Sequence, residues 1–453
     1  MKIVLTRPNY YTHLITPPLG IGYLSSYLRQ QGIETRIVDG LNLGLSADEL
    51  VRQCADADVV GISCLSDYYL ETVQLAQALK AAGKTVVIGG PHATALPVET
   101  LAETHADFAV IGEGEVSLCE LVRCLEKKGA TDGLEGVLAR DGSTFVRRKL
   151  IEDLDLLPFP DWRQMDPRTY RKAPHGGLIK RFPVAPITST RGCPYACKFC
   201  ASPTLWNRQI RFRSPQNVVN EIEMLVRDFG VREIHFEDDN LTLKASHAEA
   251  ICRLLIERRL DICWAAPNGI RVDAVTPELL GLMKQSGCYY LAFGVESGNQ
   301  AILDGVGKKT SLSAIEAAVR LAHDAGILTQ GFFIFGLPGE TEATVEETVQ
   351  FAKRIPLDRA QFLLLDVLPG SELWDELRGQ FEPNWALRSY QEVKWTPPTI
   401  SREALAAAPS RAFRRFFLRP RQILGLLRYV RLSQLRFILQ RVADFRVFRW
   451  RRS

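Results

Sequence analysis

Short apolar runs alternate with longer stretches in which apolar positions recur every three or four residues, and this pattern covers most of the chain. In the first third, KIVLT (2–6), TRIVD (35–39), VVGIS (59–63), TVVIGG (85–90) and FAVIGEG (108–114) read as strands, and 19–31, 46–54, 67–82 and 94–104 read as helices. Such alternation predicts an α/β doubly wound parallel sheet, with ligands beyond the carboxyl ends of its strands. The residues at those ends are small or polar: Ser63 and Ser66, then Gly89, Gly90, Pro91 and His92, then Gly112, Glu113, Gly114 and Glu115. Glycines there let a backbone approach a large ligand, or simply make tight turns. No G-x-G-x-x-G follows the first strand, which turns the reading away from NAD.

Residues 149–183, rich in Pro and charge, read as an interdomain connection whose Leu, Phe and Trp dock on both neighbours. The strand pattern resumes at VAPITST (184–190) and continues with REIHFED (232–238), DICWAAP (261–267), YYLAFGVE (289–296), LTQGFFIFG (328–336) and AQFLLLDVLPG (360–370). Helical patterns over 215–229, 246–259, 276–285, 312–325 and 341–354 separate them. Six βα units predict an incomplete TIM-like barrel, with functional groups at the carboxyl ends of its strands. The expected division is a first domain over 1–148, a linker over 149–183, a barrel over 184–385 and a helical, Arg-rich extension over 386–453.

A chain of 453 residues exceeds one ordinary core, which agrees with this division. No run reaches about 18 consecutive apolar residues, and the start lacks a signal-peptide pattern, so a cytoplasmic protein without a membrane-spanning helix is expected. In that compartment the ten cysteines are expected to bind metal or react where they cluster, not to form disulfides. The net charge of +4 conceals an asymmetry: residues 401–453 carry fourteen arginines against Glu403 and Asp444, leaving the preceding 400 residues at −8. An anionic surface is a partner for this tail, not for the body.

STRGCPYACKFC (189–200) concentrates Cys193, Cys197 and Cys200 in one loop. Structural zinc prefers four closed ligands, and no second pair lies nearby; Cys252, Cys263 and Cys288 stand alone in apolar segments as small hydrophobes. A redox pair of Cys197 and Cys200 leaves Cys193 unexplained. A ferredoxin-type cluster needs a fourth cysteine. What remains is a [4Fe–4S] cluster held by three thiolates, with one iron open.

The spacing Cys-x₃-Cys-x-Phe-Cys is the signature of the radical SAM superfamily. PPLGIGYLSSYLRQQG (17–32), VVGISCLS, VVIGGPHAT and FAVIGEGE, in this order, resemble the cobalamin-binding domain of B12-dependent radical SAM enzymes, and with LPGSEL (368–373) the resemblance covers roughly residues 1–385. It implies that S-adenosylmethionine (SAM) chelates the open iron, and that cobalamin contacts Ser63, Gly89, Gly90, Pro91, Gly112, Glu113 and Gly114. Cobalamin would be held mainly through backbone and hydrogen bonds with its dimethylbenzimidazole off the metal, since Asp-x-His-x-x-Gly is absent; neither His13 nor His92 is assigned to cobalt.

For SAM, the resemblance points to Glu237 or Asp238 near the ammonium, although the usual Gly-Gly-Glu is replaced by HFEDDN. Asp239 and Asn240 equally suit a helix cap. Arg271 is a candidate carboxylate partner through its fork. By resemblance, Glu296 contacts SAM and the turn at Gly336 approaches the adenine.

The implied chemistry is reductive SAM cleavage to a 5′-deoxyadenosyl radical, hydrogen abstraction from an unactivated carbon, and methyl transfer from methylcobalamin in lipid or secondary-metabolite biosynthesis. Other members of this architecture form or rearrange rings, as in porphyrin cyclisation and hopanoid modification. Expected partners are a small-molecule or lipid-like substrate, an electron-donating flavodoxin or ferredoxin, and an anionic membrane surface for residues 430–453. Radical SAM enzymes that modify tRNA carry extra cluster cysteines and a β-rich RNA module; neither is evident, so nucleic acid is not the expected partner. A cobalamin sensor that has lost turnover is disfavoured by the retained cysteines.

Overall fold

The computed structural model describes residues 1–12, 15–142, 145–170, 179–420 and 422. Its first sheet has six strands, β1 (Ile3–Arg7), β2 (Thr35–Asp39), β3 (Val59–Ser63), β4 (Thr85–Gly89), β5 (Phe108–Val110) and β6 (Val137–Ala139), in the order β2-β1-β3-β4-β5-β6. The first five are parallel, and β6 closes one edge antiparallel to β5. Alternate residues feed two cores. Val4, Val60, Ile62, Val86 and Ile88 pack on one face, and Ile3, Leu5, Val59 and Val87 on the other. Burial on both faces is why these strands read as continuous apolar runs.

The expected helices over 19–31, 46–54 and 67–82 form as Leu19–Gln30, Ala47–Gln53 and Tyr69–Ala81. The one expected over 94–104 is two, Pro91–Ala95 and Pro97–Thr104, because Pro97 has no N–H to continue a helix and opens the second instead. β6 and the helix Gly114–Glu126 were not expected.

The second sheet is all parallel and runs in chain order from β7 (Val184–Ile187) through β10 (Glu233–Phe236), β11 (Cys263–Ile270), β12 (Cys288–Glu296) and β13 (Leu328–Phe335) to β14 (Arg359–Leu364). This is the incomplete (β/α)₆ barrel. Its helices, among them Pro215–Phe229 and Leu312–Asp324, bury apolar stripes against the outer face. Between β7 and β10 an antiparallel hairpin, β8 (Thr190–Arg191) and β9 (Arg211–Phe212), carries the cysteine loop.

The connection docks on both sides. Trp162 lies in the barrel core and donates to Glu221 Oε1 at 2.8 Å, while the Tyr170 hydroxyl donates to Asp39 of β2 at 2.8 Å. In the extension, 386–401 is not helical; the helix Arg402–Phe417 buries Leu405, Ala408, Ala412 and Phe416 on the barrel. No helix among the described residues is long and apolar enough to cross a membrane. The segment 430–453, on which lipid binding was expected, and His13 lie outside the described residues.

Candidate active site

The carboxyl ends of the two sheets face one another across an open cleft of about 210 Å³. Leu65, Ser66, Asp67, Pro91 and Ala95 form the first-domain wall, Ala201, Thr204 and Leu205 of the cysteine loop the second, and Leu368, Pro369 and Tyr390 close it. Thr204 Oγ1 donates to the Gly370 carbonyl and ties the loop to the end of β14. Tyr390 has φ of 61°, a strained conformation for a bulky residue. It belongs to a strap pinned by a buried ion pair, Lys394 to Asp366 at 2.8 Å.

Cys193, Cys197 and Cys200 are free, half-buried thiols on this loop. Burial pushes all three up, Cys200 to about 12, while Lys308 and Arg271 act in the opposite sense on Cys197. Such thiols become ligands only beside a strong positive charge, which iron supplies. Among the described residues no trio of His, Cys, Asp or Glu converges as a single ion would require. Three thiolates on one short loop suit a [4Fe–4S] cluster, whose cysteines bind separate irons.

The carboxylates after β10 divide into different tasks. Asp238, 3 % exposed, accepts from the Ser189 amide at 3.0 Å, Ser189 Oγ at 2.8 Å and Thr190 Oγ1 at 2.6 Å. It clamps the chain between β7 and the cysteines. Asp239 accepts from Ser202 Oγ at 2.8 Å and holds the far limb of the loop, and the N-cap of the next helix is Lys244. Glu237 is half-buried and its backbone extends the β7–β10 ladder through Ile187. Asn240 is 1 % exposed, and neither its amide oxygen nor its nitrogen has a protein partner. A buried orphaned amide beside the loop fits a polar ligand such as the methionyl end of SAM, and sequence reading placed it only in a cap.

Arg271 spends its fork on Asp273 at 2.6 Å and on the carbonyls of Lys308 and Lys309. Its guanidinium stacks on Tyr195, between the first two cysteines, at 3.6 Å from the ring centroid. This cation positions the loop, with four of its five N–H groups turned to protein acceptors. Glu296 ends β12 with φ of 65° and pairs with buried Lys308 at 2.7 Å. Lys308 was missed because one lysine in GKKT has no local signature. The amide of Gly336 is taken by the carboxylate of Glu340, and Leu405 packs over its Cα, so turn and helix packing account for this glycine.

On the other wall, Ser63 bonds Tyr68, and Gly89 lies opposite it in the β3–β4 register. Gly90, at φ of 105°, needs to be glycine because a Cβ would meet the Cys64 carbonyl at 2.8 Å. Pro91 lines the cleft, and Gly112 has open space over its Cα. These features fit a large ligand laid against the strand ends. His92 is stacked on Tyr69 at 4.0 Å and bonds Ser66 through Nδ1; burial lowers its pKa to about 4. Glu113 is engaged by protein groups. Its carboxylate takes Arg191 and Arg211, each at 2.7 Å, and the Ile151 amide at 2.8 Å.

The family model described as the radical SAM superfamily matches residues 187–352, and that described as the B12 binding domain matches residues 11–122. The chain is 30 % identical over 441 residues to an uncharacterized methyltransferase of Pyrococcus horikoshii, covering 94 % of each. It is 29 % identical over 439 residues to the anaerobic magnesium-protoporphyrin IX monomethyl ester cyclase of Rubrivivax gelatinosus, covering 92 % of this chain and 78 % of that one. Its fold matches the radical S-adenosylmethionine methyltransferase TsrM from Kitasatospora setae, solved with cobalamin and a [4Fe–4S] cluster, at a TM-score of 0.72 and 18 % identity over 96 % of this chain and 92 % of that one. A cluster-binding loop on a partial barrel, facing a cobalamin-type sheet, places this chain in the family of cobalamin-dependent radical SAM methyltransferases, whose cofactors are a [4Fe–4S] cluster, SAM and cobalamin.

Proposed function

We propose that the protein methylates an unactivated carbon of a small-molecule or lipid-like substrate held in the cleft between the two sheets. The observation that carries this reading is the cleft itself, with the cysteine loop on one wall and the cobalamin-type strand ends on the other. Leu65, Pro91, Ala95, Ala201, Leu205, Leu368 and Pro369 make the lining mostly apolar, which suits a carbon-rich substrate, and Ser66, Asp67, Thr204 and Tyr390 are available to orient it. The bound cofactors supply the radical and the methyl group, with one electron from a flavodoxin- or ferredoxin-type donor. The protein's own residues hold the reacting parts in place. Asp238 and Asp239 fix the two limbs of the cysteine loop, Arg271 holds its inner turn through Tyr195, and Lys308 with Glu296 braces the barrel mouth. The Tyr390 strap lines the cleft, and the Thr204–Gly370 bond ties the cysteine loop to the end of β14.

The test is anaerobic turnover of reconstituted holoenzyme with dithionite, SAM and candidate substrates. Methylation yields 5′-deoxyadenosine and S-adenosylhomocysteine together, and a product heavier by one CH₂. Absence of both SAM products from protein carrying cluster and cobalamin refutes the reading. The cyclase relative favours a second reading, ring formation, for which 5′-deoxyadenosine would appear without S-adenosylhomocysteine.

A further inference from the structure

Four buried charges meet where the two domains join. Arg191 donates through Nη1 to Glu113 Oε1 and through Nη2 to Glu115 Oε1, both at 2.7 Å, so its fork bridges two carboxylates. Arg211, its partner across the β8–β9 hairpin, reaches Glu113 Oε2 at 2.7 Å and the Ile151 carbonyl at 2.6 Å. All four side chains are at most 12 % exposed. Arg191 also lies over the Tyr23 ring at 4.9 Å, and Arg211 over Trp206 at 5.4 Å, at the end of the helix that follows the cysteines.

Both ends of the cysteine loop leave from this quartet. Arg191 immediately precedes Gly192 and Cys193, and Gly192, at φ of 97°, admits no Cβ because the Gln209 carbonyl would lie 2.1 Å away. Glu113 stands at the N-cap of the helix Gly114–Glu126 that follows β5, and Glu115 lies in its first turn, at the strand ends of the cobalamin sheet. Charges this far from water keep their places only while paired, since one unpaired member costs several kcal/mol. The hairpin therefore cannot slide along the sheet without breaking several charge-assisted bonds at once.

We propose that the Glu113–Glu115–Arg191–Arg211 quartet is a positioning device that sets the distance between the iron–sulfur cluster and cobalamin. It rests on the family reading that both cofactors bind here. These residues act through the loop and the turn they hold; none is assigned contact with substrate.

The reduced cluster and cob(II)alamin are both paramagnetic, so pulsed electron paramagnetic resonance on reconstituted holoenzyme reads their separation. Wild type is expected to give one narrow distance. Arg191→Lys, which keeps the charge but loses the fork, should broaden the distribution, and Glu113→Gln should broaden it further. SAM cleavage to 5′-deoxyadenosine with dithionite should fall on the order of tenfold or more in Glu113→Gln, as misplacement of reacting groups predicts. Asp39→Asn is the control, because the Arg7–Asp39 pair is equally buried in the first sheet and meets the connection through Tyr170 but not the β8–β9 hairpin. It should lower the unfolding temperature without changing the distance. If Glu113→Gln does not fold, Glu115→Gln removes one arm of the quartet and carries the test. Wild-type distances and cleavage rates in the variants that load both cofactors overturn the inference, as does broadening in Asp39→Asn equal to theirs. Wild type that binds neither cofactor overturns the family reading instead.

Discussion

Replacing Asp238 by alanine separates a clamp from a ligand. The substitution leaves three buried donors, the Ser189 amide, Ser189 Oγ and Thr190 Oγ1, without their acceptor. Each costs about 1–3 kcal/mol when unsatisfied. Burial pushes the Asp238 carboxyl up, so removing it recovers part of the cost of desolvating that group. The expected net loss is roughly 2–5 kcal/mol. It falls on the segment that enters the cysteine loop, so iron and sulfide per chain after anaerobic reconstitution should drop together with the unfolding midpoint. Asp238→Asn keeps one accepting oxygen and should lie between. A SAM ligand would behave differently: the alanine variant would load a full cluster at nearly wild-type stability and lose only the spectral response of the cluster to SAM. That result would refute the clamp.

Lys308→Met leaves Glu296 buried without its cation and should cost about 3–5 kcal/mol, much of it recovered in the double variant with Glu296→Gln; urea midpoints in a double-mutant cycle measure the coupling. Burial raises the Glu340 carboxyl to about 7, against the amides of Gly336 and Leu337. Its folded value then exceeds its unfolded one, so its contribution is fully present below the unfolded value and lost as pH rises through about 7, a change of up to about 3 kcal/mol. Glu340→Gln should flatten this dependence, and parallel profiles of unfolding midpoint against pH for the two proteins would contradict the assignment. Residues 430–453 should carry the protein down with anionic vesicles and not with neutral ones; equal, negligible pelleting refutes the membrane contact expected of this segment.

Much of this molecule is local in its sequence. The strands are legible because both faces of each parallel sheet are buried, which leaves unbroken β-branched runs such as VVGIS. The cluster ligands are legible because Cys193, Cys197 and Cys200 lie on one short loop and their number already excludes closed zinc. Charge partners are another matter. The resemblance reads Asp238, Arg271 and Glu113 as facing ligands, and folding gives each of them protein partners that no local pattern announces. Tyr390 escaped notice for the same reason: its chain position lies outside the barrel, and only the strap carries it into the cleft.

Periodicity and the cysteine spacing, by themselves, determined two α/β layers and a cluster with one open iron. Tertiary structure alone decided which charged residues are spent on holding that arrangement. Glu113 and Arg191 stand 78 residues apart, and it is folding, by removing both from water and gathering them with Glu115 and Arg211, that makes each a counter-ion of the other.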